Sequence, residues 1–182
     1  MAPGSILKLL FSRRLLVDGL LLSLAFSVFV LGTAFINVWL WFGDYPPEIR
    51  ALVENPPTPP FVQRLVLALL GLGMIVWLMV RSTRAFLRGA PPENRFVLAM
   101  GHAFLLFQFV NVWDVVIIDW LVFVTWTPEV FVLPGTDGSP GYDNYWFHFR
   151  ASFLHPGPWI GGLVASAIIV GIARWGKSSS KS

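Results

Sequence analysis

Four long apolar runs organise the chain, approximately Leu15–Phe42, Val62–Val80, Phe96–Trp126 and Trp159–Trp175. A helix needs about 20 residues to cross a hydrocarbon core of roughly 30 Å, and each run is close to that length or longer. None alternates apolar and polar residues as a barrel strand does, and in lipid only helices and closed barrels pair all their backbone groups. The pattern therefore predicts an all-α integral membrane protein. Its expected form is a four-transmembrane-helix bundle with a structured outer loop between helices 3 and 4. Residues 1–176 make one polytopic domain, and 177–182 read as a disordered cytoplasmic tail.

Composition agrees with the pattern. Of 182 residues, 55% are hydrophobic and only 13% are charged, against about 25% charged in soluble domains. Cysteine is absent, so disulfides, thiolate catalysis and cysteine metal sites are excluded.

Charge placement predicts orientation, because cytoplasmic flanks hold the excess of Lys and Arg. Lys8, Arg13 and Arg14 precede the first run, Arg81, Arg84, Arg88 and Arg95 join the second to the third, and Arg174, Lys177 and Lys181 follow the fourth. Of the 13 basic residues, only Arg50, Arg64 and Arg150 fall on the other side, among Asp44, Glu48, Glu54, Glu129, Asp137 and Asp143. Both termini are expected in the cytoplasm, in a bacterial-type inner membrane. The net charge of +3 then reflects topology, and a nucleic-acid partner is not expected. The first run exceeds the roughly 7–15 apolar residues of a signal peptide, so it reads as a span. Before it, Ile6–Arg14 reads as a short amphipathic segment along the inner surface.

Six prolines between Pro46 and Pro60 predict an extended strap across the outer face. Trp39, Trp41, Tyr45, Trp126, Trp146 and Trp159 suit an outer aromatic belt, and Trp77 and Trp175 an inner one.

The third run carries the candidate chemistry. Gln108, Asn111, Asp114 and Asp119 lie inside it, and a carboxylate near the bilayer centre costs about 2.5–3.5 kcal/mol on insertion scales. At about 100° per residue, counted from His102, an α-helix puts Asp114 near 120°, Asn111 near 180°, Gln108 near 240° and Asp119 near 260°. These four share one broad arc that opens toward the loop that follows.

That loop, Thr127–His155, has two halves. Pro134, Gly135, Gly138, Pro140 and Gly141 predict consecutive tight turns. The aromatic stretch from Tyr142 to Phe149 is too apolar for a solvated linker and should fold down as a short interfacial helix or lid. The candidate pocket then comprises Gln108, Asn111, Asp114, Asp119, Asp143, His148 and Arg150, with His148 or Arg150 placed over Asp119 to compensate its charge.

Several chemistries are disfavoured by spacing. Asp114, Asp119, His148 and His155 show no tight metal-ligand motif, Asp137, Asp143 and Asn144 do not match the calcium hand loop, and a di-haem bundle lacks axial histidines beyond His102. No metal or cofactor is expected. A purely structural role is also open to Gln108, Asn111 and Asp114, which could bond Asp18, Ser23, Ser27 or Asn37 of the first span at about 0.6 kcal/mol each. The expected function is a binding or accessory subunit for a lipid, small solute or membrane complex, and the alternative is a small transporter or membrane-embedded enzyme using Asp114 and Asp119. Beyond the bilayer itself, Gly157, Gly161 and Ala165 recur every four residues in the fourth run, with Gly162 and Ser166 alongside. These offer a flat face for a neighbouring helix, a second copy or a larger complex.

Overall fold

The computed structural model describes residues 9–175; Ile6–Lys8 of the amphipathic segment and the 177–182 tail lie outside them. The described chain is helical throughout its ordered elements, with helix α1 at Arg13–Ile36, α2 at Pro47–Arg50, α3 at Phe61–Gly89, α4 at Arg95–Trp113, α5 at Tyr145–Phe149 and α6 at Pro156–Trp175. Helix α4 runs without a break into a π-helix, Asp114–Trp126, and α5 into a π-helical turn, Arg150–Leu154. Four stretches are long and apolar enough to cross a membrane: α1, α3, α4 with its π extension, and α6. They pack as a bundle in which α3 and α4 each touch the other three.

Three boundaries differ from the sequence reading, each for a local reason. Helix α1 stops at Ile36 rather than Phe42, because Asn37 turns extended and its side-chain oxygen accepts the Trp39 amide; Asn offers the backbone this alternative to a helical bond. A 3₁₀ helix, Val38–Asp44, then carries the remaining apolar residues. Helix α3 continues nine residues past Val80 to Gly89, since arginines favour a helix and only the approach of Pro91 ends it. The proline strap is not extended throughout. Pro47 takes the first turn of α2, where its missing N–H costs nothing.

Phenylalanine rings set against glycines hold the long helices together. A Cβ on Gly19 of α1 would stand 2.8 Å from Phe109 Cγ of α4, one on Gly71 of α3 would stand 2.6 Å from Phe29 of α1, and one on Gly162 of α6 would stand 2.8 Å from Phe107 of α4. The fourth span thus turns its Gly162 and Ser166 row to α4. Gly161, by contrast, faces open space, and Gly157 meets only His155 of its own turn.

Two large apolar cores divide the bundle, besides a smaller cluster of Phe86, Ala90 and Leu98. One, including Leu22, Met79, Leu87, Ala103, Leu106 and Val170, lies between the helices toward the basic end. The other, built on Tyr45, Ile49, Phe123, Phe131, Leu133 and Tyr142, joins both long loops to the π segment at the opposite end.

Candidate functional site

The loop-bearing end is assembled by hydrogen bonds to buried tyrosines. Tyr45 Oη donates to the Phe131 carbonyl at 2.8 Å, and Tyr142 Oη accepts the Leu133 amide at 2.9 Å and bonds Thr136 Oγ1 at 2.8 Å. Gly135 and Gly138 take positive φ values of 79° and 72° in the turns between, conformations open to glycine at little cost. Gly141 packs so closely on Ile49 that a Cβ would come within 2.6 Å of its Cγ1. The first loop is thereby fastened under the second.

The π segment supplies the acids. Its hydrogen bonds run from residue i to i+5, so residues five apart stack along one face. Asp114 and Asp119 are five apart. The α-helical wheel separates them by about 140°, whereas here both line a single cavity of about 370 Å³. The segment ends at Thr127, in a left-handed conformation (φ 45°) and stitched to the Phe123 and Val124 carbonyls through its hydroxyl. A β-branched residue held there is strained backbone.

Over Asp119 sits His148 of α5, with Nδ1 3.2 Å from Asp119 Oδ2. The imidazole is 6% exposed and packs edge-on against Phe123. Asn144 positions it by capping α5, its side-chain oxygen accepting the Phe147 amide at 2.9 Å. Trp120 Nε1 donates to the Tyr145 carbonyl from the π segment. The second ring nitrogen of His148, Nε2, is buried without a hydrogen-bond partner among the described residues.

A third carboxylate joins the cavity from the first loop. Asp44, the last residue of the 3₁₀ helix, lines the same wall. Its pKa is raised above the ordinary 3.8, first by loss of water around it and then by the negative charge of Asp119, against opposing effects of Arg50 and His148. Burial of the neighbouring Tyr45 phenol raises its pKa as well. Trp41, Tyr45, Phe131 and Phe147 complete an aromatic wall.

The other residues singled out from sequence go elsewhere. Asn111 Nδ2 donates to the Ser152 carbonyl at 3.3 Å and to Gln108 Oε1 at 3.4 Å, so this pair ties α4 to the turn before α6 and does not line the cavity. Asp143 is exposed in the 3₁₀ turn Pro140–Asp143, and Arg150 faces away from Asp119 beside Leu154 and His155. The cross-links to the first span also fall differently from the expected set: Trp113 Nε1, not Asp114, donates to Ser27 Oγ, and Asn37 Nδ2 donates to Gln63 Oε1. By sequence Asp44 falls among the acids of the outer side, just past the first apolar run, where nothing marks it as facing the cavity. Its one signal was Gly43–Asp44 ahead of Pro46 and Pro47, a turn-forming sequence.

Among the described residues no three His, Asp or Glu side chains gather tightly enough to hold a metal ion. The three acids are instead spread around a wide, aromatic-walled space. Comparison with known family models, with curated proteins and with solved structures finds no match.

Proposed function

We propose that this chain is a small multi-pass protein of the cytoplasmic membrane, with both termini inside, whose acidic cavity faces outward and binds a small organic cation. The observation that carries the reading is the convergence of Asp44, Asp114 and Asp119 on one cavity with Trp41 and Tyr45 in its wall. Carboxylates attract a cation at long range, and aromatic faces stabilise one that has shed part of its water by about 0.5–2 kcal/mol each. A bare divalent metal suits this space poorly, since its oxygen ligands must close to about 2.0–2.6 Å. An alkylammonium fits better because it is larger and apolar around its charge. The chain then acts as a binding or accessory subunit that presents or retains such a solute.

Binding is tested by titrating the purified protein with choline, with a primary alkylamine and with acetate. The two cations should raise the melting temperature and acetate should not, and Asp114→Asn together with Asp119→Asn should remove the effect. Equal response of wild type and double variant would sink the reading. Orientation is tested separately: reporter tags after Ser182 and between Arg84 and Pro92 should read cytoplasmic, and tags near Thr58 and Ser139 external.

One observation favours the second reading, a transporter or membrane-embedded enzyme. A carboxylate–imidazole contact of 3.2 Å with an unengaged second nitrogen is also the arrangement of an acid–base pair. Ion-coupled uptake, or turnover of a lipid extract, lost on His148→Gln but with choline binding retained, would move the assignment there.

A further inference from the structure

The opposite end of the bundle holds a second cavity of about 340 Å³ between α1 and α3. Arg14 enters it from α1, and Arg81, Arg84 and Arg88 from successive turns of α3. Its one carboxylate, Asp18, is already engaged: it accepts a hydrogen bond from Ser82 Oγ at 2.6 Å and lies 4.0 Å from Arg14. Ser82 in turn stands 3.0 Å from His102 Nε2. The hydroxyl has one proton, so if that proton goes to Asp18 the imidazole must donate from Nε2. His102 is fully buried and stacked on Phe86 at 4.4 Å. The acid is thus locked into the wall by a buried network, and the guanidinium charge of the remaining arginines is not cancelled by it.

Those arginines are not equivalent. Arg84 donates to the Ile172 carbonyl of α6 at 3.3 Å and Arg81 lies 6.0 Å above the Trp77 ring. Both contacts fix the side chain, and neither arginine has a carboxylate partner among the described residues. On the flank of the same cavity Leu21 and Trp77 are exposed apolar side chains on the outside of the bundle. A cationic mouth continuous with an apolar outer groove matches an amphiphile with an anionic head, since guanidinium forks suit phosphate oxygens.

We infer that the Arg14, Arg81, Arg84 and Arg88 cavity binds a phosphate group presented by an anionic phospholipid headgroup, with the acyl chains lying along Leu21 and Trp77. This goes beyond the cation site at the other end and shares with it only the membrane placement, which the reporter tags test independently.

The test adds phosphatidylglycerol or phosphatidylcholine to the full chain in detergent and follows the melting temperature and the lipid retained in native mass spectra. Phosphatidylglycerol should bind and stabilise at least tenfold more effectively than phosphatidylcholine. Arg81→Gln with Arg88→Gln should abolish the preference, while Arg13→Gln with Arg174→Gln, an equal loss of charge at the same end but outside the cavity, should keep it. No preference in wild type, or equal loss in both double variants, overturns the site in favour of diffuse attraction to a basic surface. Pyrophosphate alone stabilising wild type as well as the lipid does would overturn the lipid assignment and leave a soluble phosphate as the occupant.

Discussion

The two ends of the bundle solve the problem of buried polarity in opposite ways. In the cavity at the basic end a single acid, Asp18, is fixed by Ser82 and Arg14 on the long helices themselves, and cations surround it. At the loop-bearing end three acids share one cavity, of which Asp119 alone makes an ion-pair contact among the described residues, with His148, and the walls come from loops, a 3₁₀ helix and a π segment. The first arrangement is inherited from straight helices and needs little besides their packing. The second exists only because irregular backbone brings distant residues together, so it should be the more fragile of the two and the more responsive to ligand and pH.

The largest effect should come from the histidine that caps the acidic cavity. His148→Ala removes a buried ring and strands Asp119, at a cost of roughly 3 kcal/mol, visible as a lowered melting temperature that choline partly restores. If the loss is no greater than for an exposed alanine substitution, the loop-bearing end is not held together by this contact.

Next is Ser82→Ala, which leaves Asp18 and His102 without their shared partner and should cost about 2 kcal/mol. Choline binding should be unchanged, since the two ends share no residue. A change in cation affinity here would break the comparison by showing the ends to be coupled.

Tyr142→Phe deletes the hydroxyl that accepts the Leu133 amide and should cost about 1–2 kcal/mol. Hydrogen exchange should rise in residues 128–144 and stay level in α3. A uniform rise would mean that loops and bundle melt as one unit.

The smallest effect concerns pH. Because the folded-state pKa of Asp44 is raised above its unfolded value, protonated Asp44 favours folding, a contribution fully present below about 3.8 and lost as pH rises through the folded value. The melting temperature of wild type relative to Asp44→Asn should therefore fall as pH is raised through that window, and a relative rise would contradict the sign. Choline, by favouring the ionised acid, should narrow the difference.

Legibility in the sequence followed the length scale of the signal. Apolar runs of span length located all four long helices, because their hydrophobicity needs no tertiary context. The contact of His148 with Asp119 was reachable too, from the expense of an apolar-embedded carboxylate and the aromatic density of Tyr142–Phe149. What failed was anything that depends on helix pitch or on loop closure. The α-helical wheel groups Gln108 and Asn111 with both acids on one broad arc about 140° wide, since no residue type marks a change from α to π hydrogen bonding. Asp143 and Arg150 were included because sequence distance cannot show which side of a turn faces inward. Asp44 was left out because pairing the two long loops is a tertiary event fixed by Tyr45, Ile49 and Tyr142.

A π-helix can be regarded as an α-helix that has absorbed extra residues, which makes the acidic site a matter of counting. Returning the segment to α pitch with its residue count unchanged would swing the two acids about 140° apart, whereas removing one residue as well, for instance Val116, would leave them four apart and on one face again. Adding or removing residues elsewhere in the loops would shift Asp44 or His148 but leave this pair intact. The site is thus encoded in the match between helix pitch and the interval separating two aspartates as much as in the aspartates themselves, and a change in either one alone would silence it without altering its chemistry.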